Sequence, residues 1–322
     1  MLGARGMTMK AVSYERFGGP EVLELREFPV PTPGRGQVRV RVRAASINPV
    51  DGKFRRGELK FLSGTKFPKR VGGDLSGVVD AVGPEVHGLH VGDEVLGMVD
   101  GMAGGAYAEA VVTRAELLVA KPPGLSFEEA ASVPVVALAA YLGLVKAGRV
   151  GDGTRVLVNG AAGGVGAFAV QIAKLLGAHV TATASGQGLA LVQTLGADHV
   201  LDYREVDVTR RPERYDVIFE LSGRLPFARA RALLAPGGRF VDPTPTPASI
   251  LGSLLANPFR SRKHVILMGK PSHEVLQWIA IRLGDGRLRA VVTRSFPLTQ
   301  VREAVRFAEQ GGVPGKVVLR VD

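Results

Sequence analysis

Apolar and polar positions alternate in short runs over the first ~125 residues, and the period changes near Ser126. In QVRVRVRAASI (37–47), valines alternate with Arg39, Arg41 and Arg43. This is the period-two pattern of a strand with one buried and one charged face. DLSGVVDAVG (74–83) and DEVLGMVD (93–100) are also β-rich. Glycine-bearing turns at PTPGRG (31–36), GPEVHGLHVGD (83–93) and GMAGG (101–105) punctuate them. The stretch reads as all-β with glycine corners, not as a βαβ series.

From Ser126 a capping box, Ser126 to Glu129, opens a helix interrupted at Pro134. Strands are then predicted at 155–159, 179–184, 199–203, 215–221, 238–242 and 264–269. Helices at about 164–176, 187–195 and 226–234 fall between most of them. Apolar strands alternating with amphipathic helices make a parallel, doubly wound sheet covered on both faces. The tail reverts to a strand (289–298), a helix (299–312) and a last strand (315–321). Val301, Ala304, Val305 and Ala308 share one face of that helix. The tail is expected to return to the N-terminal β-rich region, leaving a cleft between two domains.

A chain of 322 residues fits roughly two domains, and 46% hydrophobic residues suffice for sizeable cores. No apolar run reaches the ~18 residues of a bilayer span; PVVALAAYLGLV (134–145) comes nearest. MLGARGMTMK lacks the apolar stretch of a secretory signal, and the regular pattern starts only at Met9, so Met1, Met7 and Met9 are all candidate starts. A soluble, cytoplasmic protein without a membrane partner is expected. The absence of cysteine excludes disulfides, thiolate zinc sites and cysteine nucleophiles. Any electron transfer must therefore use a bound cofactor. The formal charge is 41 − 30 = +11. Its cations are scattered and accompany no nucleic-acid motif, which argues against a nucleic-acid partner. A basic surface also draws in an anionic cofactor.

The most specific local signal is RVLVNGAAGGVGAFAVQIAKLLGAHVTATA (155–184). Gly160, Gly163 and Gly166 follow a strand and open a helix. The first permits the tight turn, the second leaves room for a pyrophosphate, and the third lets helix and sheet pack closely. The helix start adds free N–H groups and a positive dipole end. Dinucleotide binding is expected, with Ala162, Gly164 and Val165 in the same turn; the alternative is a merely structural glycine turn. The second strand ends in TATASGQG, with Thr183, Ala184, Ser185 and Gln187 and no carboxylate for a ribose 2′-OH. That favours NADPH. Tyr203 and Arg204, at the end of the third strand, could reach its 2′-phosphate.

With these residues in place the chain resembles the medium-chain dehydrogenase/reductase superfamily, and most closely its zinc-independent branch of quinone oxidoreductases and alkenal/enone reductases. The resemblance runs from Met9 on. It rests on MKAVSYERFGGPEVLEL (9–25), ASINPVDGKFRRG (45–57), GGDLSGVVDAVG (72–83), GDEVLG (92–97), GAYAEAVV (105–112), VNGAAGGVGAFAVQIAKLLGA (158–178), LGADHVLDY (195–203), LAPGGRFV (234–241) and GKVVL (315–319). It implies an α/β protein: a GroES-like β-rich catalytic domain (1–127 and 287–322) and a Rossmann cofactor domain (128–286). Zinc members carry ligands near Asn48 and Gly73 and before the glycine turn; here no cysteine exists, and His87 and His90 lack further ligands. No zinc or other metal is expected, and alcohol oxidation is disfavoured because nothing polarises an alcohol.

The resemblance further implies NADPH-dependent hydride transfer to a quinone or an α,β-unsaturated carbonyl. Asn48 matches the family asparagine beside the nicotinamide, as donor to a developing oxyanion. Lys53 matches a lysine near the nicotinamide ribose and substrate; Asp51 is expected to fix the loop or bond Lys53; Tyr107 borders the cleft or belongs to the core. Gly163, Gly164, Val165, Ser185 and Tyr203 are carried onto phosphate or ribose contacts. Ser222, Gly223 and the DPTP segment with Pro243 are carried onto the nicotinamide half. Lys316 matches a recurrent lysine of cofactor-binding or structural role, and Thr183 is counted with it among the cofactor-binding candidates. Departures from the family pattern are Gly188, where relatives often have lysine, Ala139, where a threonine is common, and VDPTPTP in place of a small glycine segment. Relatives are often dimers, and HVILMG is the candidate edge for a homodimer. The alternative reading is a nucleotide-binding structural or regulatory member with little turnover.

Overall fold

The computed structural model describes residues 7–100, 104–244, 246–267 and 269–322. Met1, residues 101–103 of the GMAGG turn, Pro245 of VDPTPTP and Met268 of HVILMG lie outside the described residues.

The N-terminal part contains β1 (Thr8–Tyr14), β2 (Glu24–Pro29), β3 (Gln37–Ser46), α1 (Pro49–Arg55), α2 (Lys60–Ser63), β4 (Lys69–Arg70), β5 (Asp74–Val82), β6 (Glu94–Met98), β7 (Ala110–Arg114) and β8 (Leu118–Ala120). As the alternation predicts, Val38, Val40 and Val42 of β3 are buried. Arg39 faces outward to an ion pair with Asp80 at 2.8 Å. Each fully buried valine of this kind contributes roughly 1.5–3 kcal/mol relative to exposure. The all-β expectation misses α1. That helix forms because Pro49 suits its first position and Asp51 reaches back to the Asn48 N–H at 2.9 Å.

After the capped helix α3 (Phe127–Ala131), α4 (Pro134–Tyr141) runs into a π-helical turn, Leu142–Gly148. A Cβ on Gly143 would lie 2.3 Å from the ring of Phe219, so glycine there lets the central strand's aromatic pack against the turn. Then follow β9 (Arg155–Asn159), α5 (Gly164–Leu175), β10 (His179–Ala184), α6 (Gln187–Thr194), β11 (His199–Asp202), β12 (Tyr215–Glu220), α7 (Phe227–Ala230), β13 (Leu234–Asp242), α8 (Pro247–Ala256), β14 (Lys263–Ile266) and α9 (His273–Gly284). The strands form one parallel sheet in the order β11-β10-β9-β12-β13-β14. Numbered from β9, this is the doubly wound order 3-2-1-4-5-6, whose direction reverses between β9 and β12.

In this part, too, two helices have no counterpart in the sequence prediction. Ser272 caps α9 through the Val275 N–H, a signal hidden behind the lysine and proline of GKPSH. On α8, Leu251 and Leu254 are exposed, so the helix lacks the two-faced pattern that periodicity detects.

The chain closes with β15 (Val292–Pro297), α10 (Val301–Glu309) and β16 (Lys316–Arg320). Val301, Ala304 and Val305 of α10 are buried. β16 pairs antiparallel with β3, so the last residues complete the sheet that residues 37–46 began. Just before β16, the Gly315 N–H donates to the Ala162 carbonyl at 2.7 Å. The C-terminal strand is thereby stitched to the glycine turn of the parallel sheet.

Candidate functional site

Asn48 stands where β3 gives way to α1. Its Oδ1 accepts from Lys316 Nζ at 2.6 Å, and its Nδ2 donates to Asp74 Oδ2 at 2.9 Å. Lys316 Nζ also donates to the Ile47 carbonyl at 2.7 Å. Asp74 opens β5 opposite Ser46, whose hydroxyl donates to it at 3.0 Å; the Val135 N–H of α4 does the same at 3.0 Å. Asp51 Oδ2 accepts from the Asn48 N–H and from the Tyr107 hydroxyl, both at 2.9 Å. All six side chains, those of Ser46, Asn48, Asp51, Asp74, Tyr107 and Lys316, are buried. A Cβ on Gly72 would meet the Tyr107 ring at 2.3 Å, so that glycine makes room for the tyrosine.

Two carboxyl groups and one ammonium thus share a buried interior. Burial pushes Asp51 up to about 6 against the opposing Asn48 and Tyr107 hydrogen bonds, with the Asp74 charge adding to the rise. Burial also raises Asp74, opposed by Lys316, and lowers Lys316, opposed by Asp74 and Asp51. Desolvation therefore outweighs attraction on both sides. The Tyr107 hydroxyl is held protonated by burial and by the Asp51 charge.

Of the three expected catalytic side chains, the structure joins Asn48 and Asp51. Asp51 does not bond Lys53; it caps α1 and holds Tyr107. Lys53 is half-buried on α1, and its ammonium makes no hydrogen bond or ion pair among the described residues. Tyr107 is core.

The dinucleotide candidates gather along one edge, where the parallel strands end. Gly160 has φ +91°, a backbone that disfavours other residues, and its N–H donates to Thr183 Oγ1 at 2.9 Å. A Cβ on Gly166 would meet backbone atoms of Gly160 and Ala161 at 2.4–2.6 Å, which enforces close packing of α5. A Cβ on Gly163 would have only one neighbour, the Gly160 carbonyl at 3.8 Å, so the turn is open there. Ala162, Gly164 and Val165 are partly exposed around it. Ser185 Oγ donates to the Tyr203 hydroxyl at 2.7 Å across the ends of β10 and β11. Ser222 and Gly223 are exposed after β12, and Pro243 is half-buried after β13.

Two candidates belong elsewhere. Thr183 is buried and holds Gly160 from beneath, its hydroxyl donating to Asn159 at 2.6 Å. Lys316 lies under the start of α5, where a Cβ on Gly164 would touch its Cδ at 2.7 Å, but its charge is directed at Asn48. Sequence reading missed Asp74, Ser46, Asn159 and Glu220. Ser46 and Asp74 are neighbours only across the β3–β5 pair, and Asn159 and Glu220 only across the β9–β12 pair.

The residues present do not fit a zinc ion. No cysteine exists in the chain. Among the described residues no three histidine or acidic side chains converge as a ligand set. The amide oxygen of Asn48 already faces an ammonium. His87 and His90 are exposed. The glycine turn, by contrast, fits a dinucleotide: open at Gly163, backed by a helix start and lacking any side-chain cap. A separate groove of about 1110 Å³, between the 85–94 segment, Lys121 and α9, contains none of these residues. No helix among the described residues is long and apolar enough to cross a membrane.

Comparison with known proteins agrees with this fold. The family model described as alcohol dehydrogenase GroES-like domain matches residues 34–123, and that described as zinc-binding dehydrogenase matches residues 195–319. The chain is 34% identical over 325 residues to the chloroplast envelope quinone oxidoreductase homolog of Arabidopsis thaliana, covering 98% of this chain and 99% of that protein. It is also 34% identical over 322 residues to the chloroplastic NADPH-dependent alkenal/one oxidoreductase of the same plant, covering 97% of this chain and 79% of that one. The solved quinone oxidoreductase of Coxiella burnetii superposes with a TM-score of 0.91 at 32% identity, covering 98% of this chain and 100% of that one. A GroES-like β-rich domain and a Rossmann domain thus occur together with full-length similarity. The chain is an oxidoreductase that belongs to the medium-chain dehydrogenase/reductase superfamily, in its zinc-independent quinone oxidoreductase branch.

Proposed function

We propose that the protein reduces a quinone or an α,β-unsaturated carbonyl with NADPH and without zinc. One observation carries the reading. Two consecutive residues, Gly315 and Lys316, bond respectively to the glycine turn at Ala162 and to the amide of Asn48. The same stretch of backbone therefore sets the dinucleotide turn against an oriented amide.

The N–H groups at the start of α5 and the open backbone at Gly163 would hold the diphosphate. Ser185 and Tyr203 would flank the ribose 2′-position, where no carboxylate repels a phosphate. NADPH, when bound, supplies the hydride to the electrophilic carbon of the acceptor. Lys316 holds the oxygen side of the Asn48 amide, so the amide presents Nδ2 as its donor. Its second N–H, with the ammonium behind it, would stabilise negative charge growing on the acceptor oxygen. Asp74, Asp51 and Tyr107 keep this donor in one orientation.

Purified protein assayed with NADPH against a panel of quinones and enones tests the proposal. Loss of the reduced-nucleotide absorbance that persists in a chelator is expected. NADPH binding with no turnover across the panel would leave a nucleotide-binding member of little activity instead. We also infer a homodimer paired along β14, the outer strand of the parallel sheet. A monomeric mass in solution at micromolar concentration would refute that pairing.

A further inference from the structure

Glu220 has no part in the arrangement above, yet it is a carboxyl group buried at the sheet's switch point. It ends β12 directly opposite Asn159 of β9 and is 4% exposed. Among the described residues no cation pairs with it; its partners are neutral donors. Oε2 accepts from Asn159 Nδ2 at 2.5 Å. Oε1 accepts from the Ser222 hydroxyl at 2.6 Å and from the Arg224 N–H at 3.3 Å.

The first of these contacts begins a relay. With its Nδ2 turned to Glu220, Asn159 presents Oδ1 to the Thr183 hydroxyl at 2.6 Å. That hydroxyl, donating to Asn159, accepts the Gly160 N–H at 2.9 Å. Every donor points the same way, from the turn through β10 and β9 to the carboxylate on β12. Aligned bonds of this kind strengthen one another, and the anionic end fixes their direction. A buried carboxylate without a cation is costly, so its place at this point is informative. β12 begins the second mononucleotide half of the sheet, the half that faces the nicotinamide.

We propose that Glu220 is a positioning residue for the dinucleotide, anchoring the relay that sets the Gly160 turn and favouring, by its charge, the oxidised nicotinamide over the reduced one. The inference rests on the dinucleotide reading above. When a hydride leaves with its electron pair, the nicotinamide ring passes from neutral to cationic. A fixed negative charge on that side therefore interacts more favourably after transfer than before it.

Full-length Glu220→Gln protein tests both roles. Without nucleotide, hydrogen exchange at the Gly160 amide should rise about tenfold, the difference between a bond to a charged and to a neutral acceptor. Exchange at Leu157 and Val158 in β9 should stay as in wild type. By calorimetry, NADP+ should weaken more than NADPH, shifting the ratio of their dissociation constants about fivefold. Thr183→Val breaks the relay but keeps the charge. It should raise Gly160 exchange and leave the ratio unchanged, and it keeps the test open should Glu220→Gln fail to fold. Wild-type exchange at Gly160 in Glu220→Gln, or in Thr183→Val should the former not fold, overturns the positioning role. An unchanged ratio in Glu220→Gln overturns the electrostatic one. Wild-type protein that binds neither nucleotide overturns the dinucleotide reading itself.

Discussion

Lys316 Nζ and Asn48 Oδ1 are 2.6 Å apart although 268 positions separate them in the chain. The ammonium takes the oxygen side of the amide and leaves Nδ2 as the donor. Removing the donor should therefore harm turnover rather than cofactor binding. Asn48→Ala should lower kcat about a hundredfold, the usual effect of losing one donor to a developing oxyanion. The NADPH dissociation constant, from titration of nucleotide fluorescence, should change little. Equal losses in both would assign Asn48 to ground-state binding instead.

Lys316→Met keeps the apolar stem beneath Gly164 but leaves Asp74 and Asp51 without a buried cation. Removing one member of a directly paired buried set costs roughly 3–5 kcal/mol. Here an amide stands between the ammonium and Asp74, so about 2–3 kcal/mol is expected at neutral pH. Urea unfolding at pH 7 and pH 5 checks this: the deficit should shrink at the lower pH, where carboxyl groups take up protons. A loss independent of pH would point to packing alone.

Asp51 makes a second pH-dependent contribution whose sign is opposite to that of a surface carboxylate. Its folded value, about 6, lies above the ordinary 3.8. Between pH 4 and 6 the native state thus holds a proton that the unfolded chain has released. Stability falls as pH rises through that window, by on the order of 3 kcal/mol in all. Asp51→Asn can still accept from the Asn48 N–H and the Tyr107 hydroxyl. The variant should gain on wild type at pH 7 and not at pH 4, read as the difference in Tm at the two pH values. The same difference at both would dispose of a buried, proton-holding Asp51.

The parallel sheet is legible in the sequence because each strand is a short apolar run closed by a glycine or polar turn, and each predicted helix between them has an apolar stripe. The β9 turn, the order of elements and the return of the tail follow from such local signals. The Asn48 cluster is legible only in part. Asn48 carries a family signal, but Asp74 and Lys316 reach it from strands far away in the chain, and no spacing encodes that meeting. Thr183 is next to last in β10 and Glu220 ends β12. Their link runs through Asn159, which is opposite both across the sheet, and no local pattern encodes that pairing. Helix α8 escaped because its leucines face outward, against the rule that apolar positions mark a buried face.

Two glycines of the same turn should respond differently to valine. At Gly163 the new side chain would enter open space, so the fold should keep its Tm while NADPH binding falls by a hundredfold or more, given the blocked approach to the backbone. At Gly166 the first atom already collides with the backbone of Gly160 and Ala161. Overpacking of that kind costs ~1–3 kcal/mol or more, so Gly166→Val should lower Tm whether or not nucleotide is present. Thermal melts with and without NADPH separate the two. A Gly163→Val protein still stabilised by NADPH would remove the turn from the binding site.

Nucleotide preference should be decided at Ser185, not at its neighbour Ala184. Ala184 is buried, and a Cβ on Gly188 would stand 3.5 Å from its own, so an acid placed there would be forced into the sheet. The same glycine would meet Ala162 Cβ at 2.7 Å, which explains why the lysine of many relatives has no room at 188. Ser185 is partly exposed beyond the end of β10 and bonds the half-exposed Tyr203. Ser185→Asp places a carboxylate where a ribose 2′-OH can bond it and a 2′-phosphate is repelled. Repulsion of roughly 1–2 kcal/mol near a surface corresponds to about a five- to thirtyfold shift in kcat/KM from NADPH toward NADH. Ser185→Arg should move the preference the opposite way, and more so at low salt, where an exposed ion pair is least screened. If neither variant changes the ratio, the 2′-position lies away from the ends of β10 and β11, and the absence of a carboxylate there says nothing about nucleotide choice.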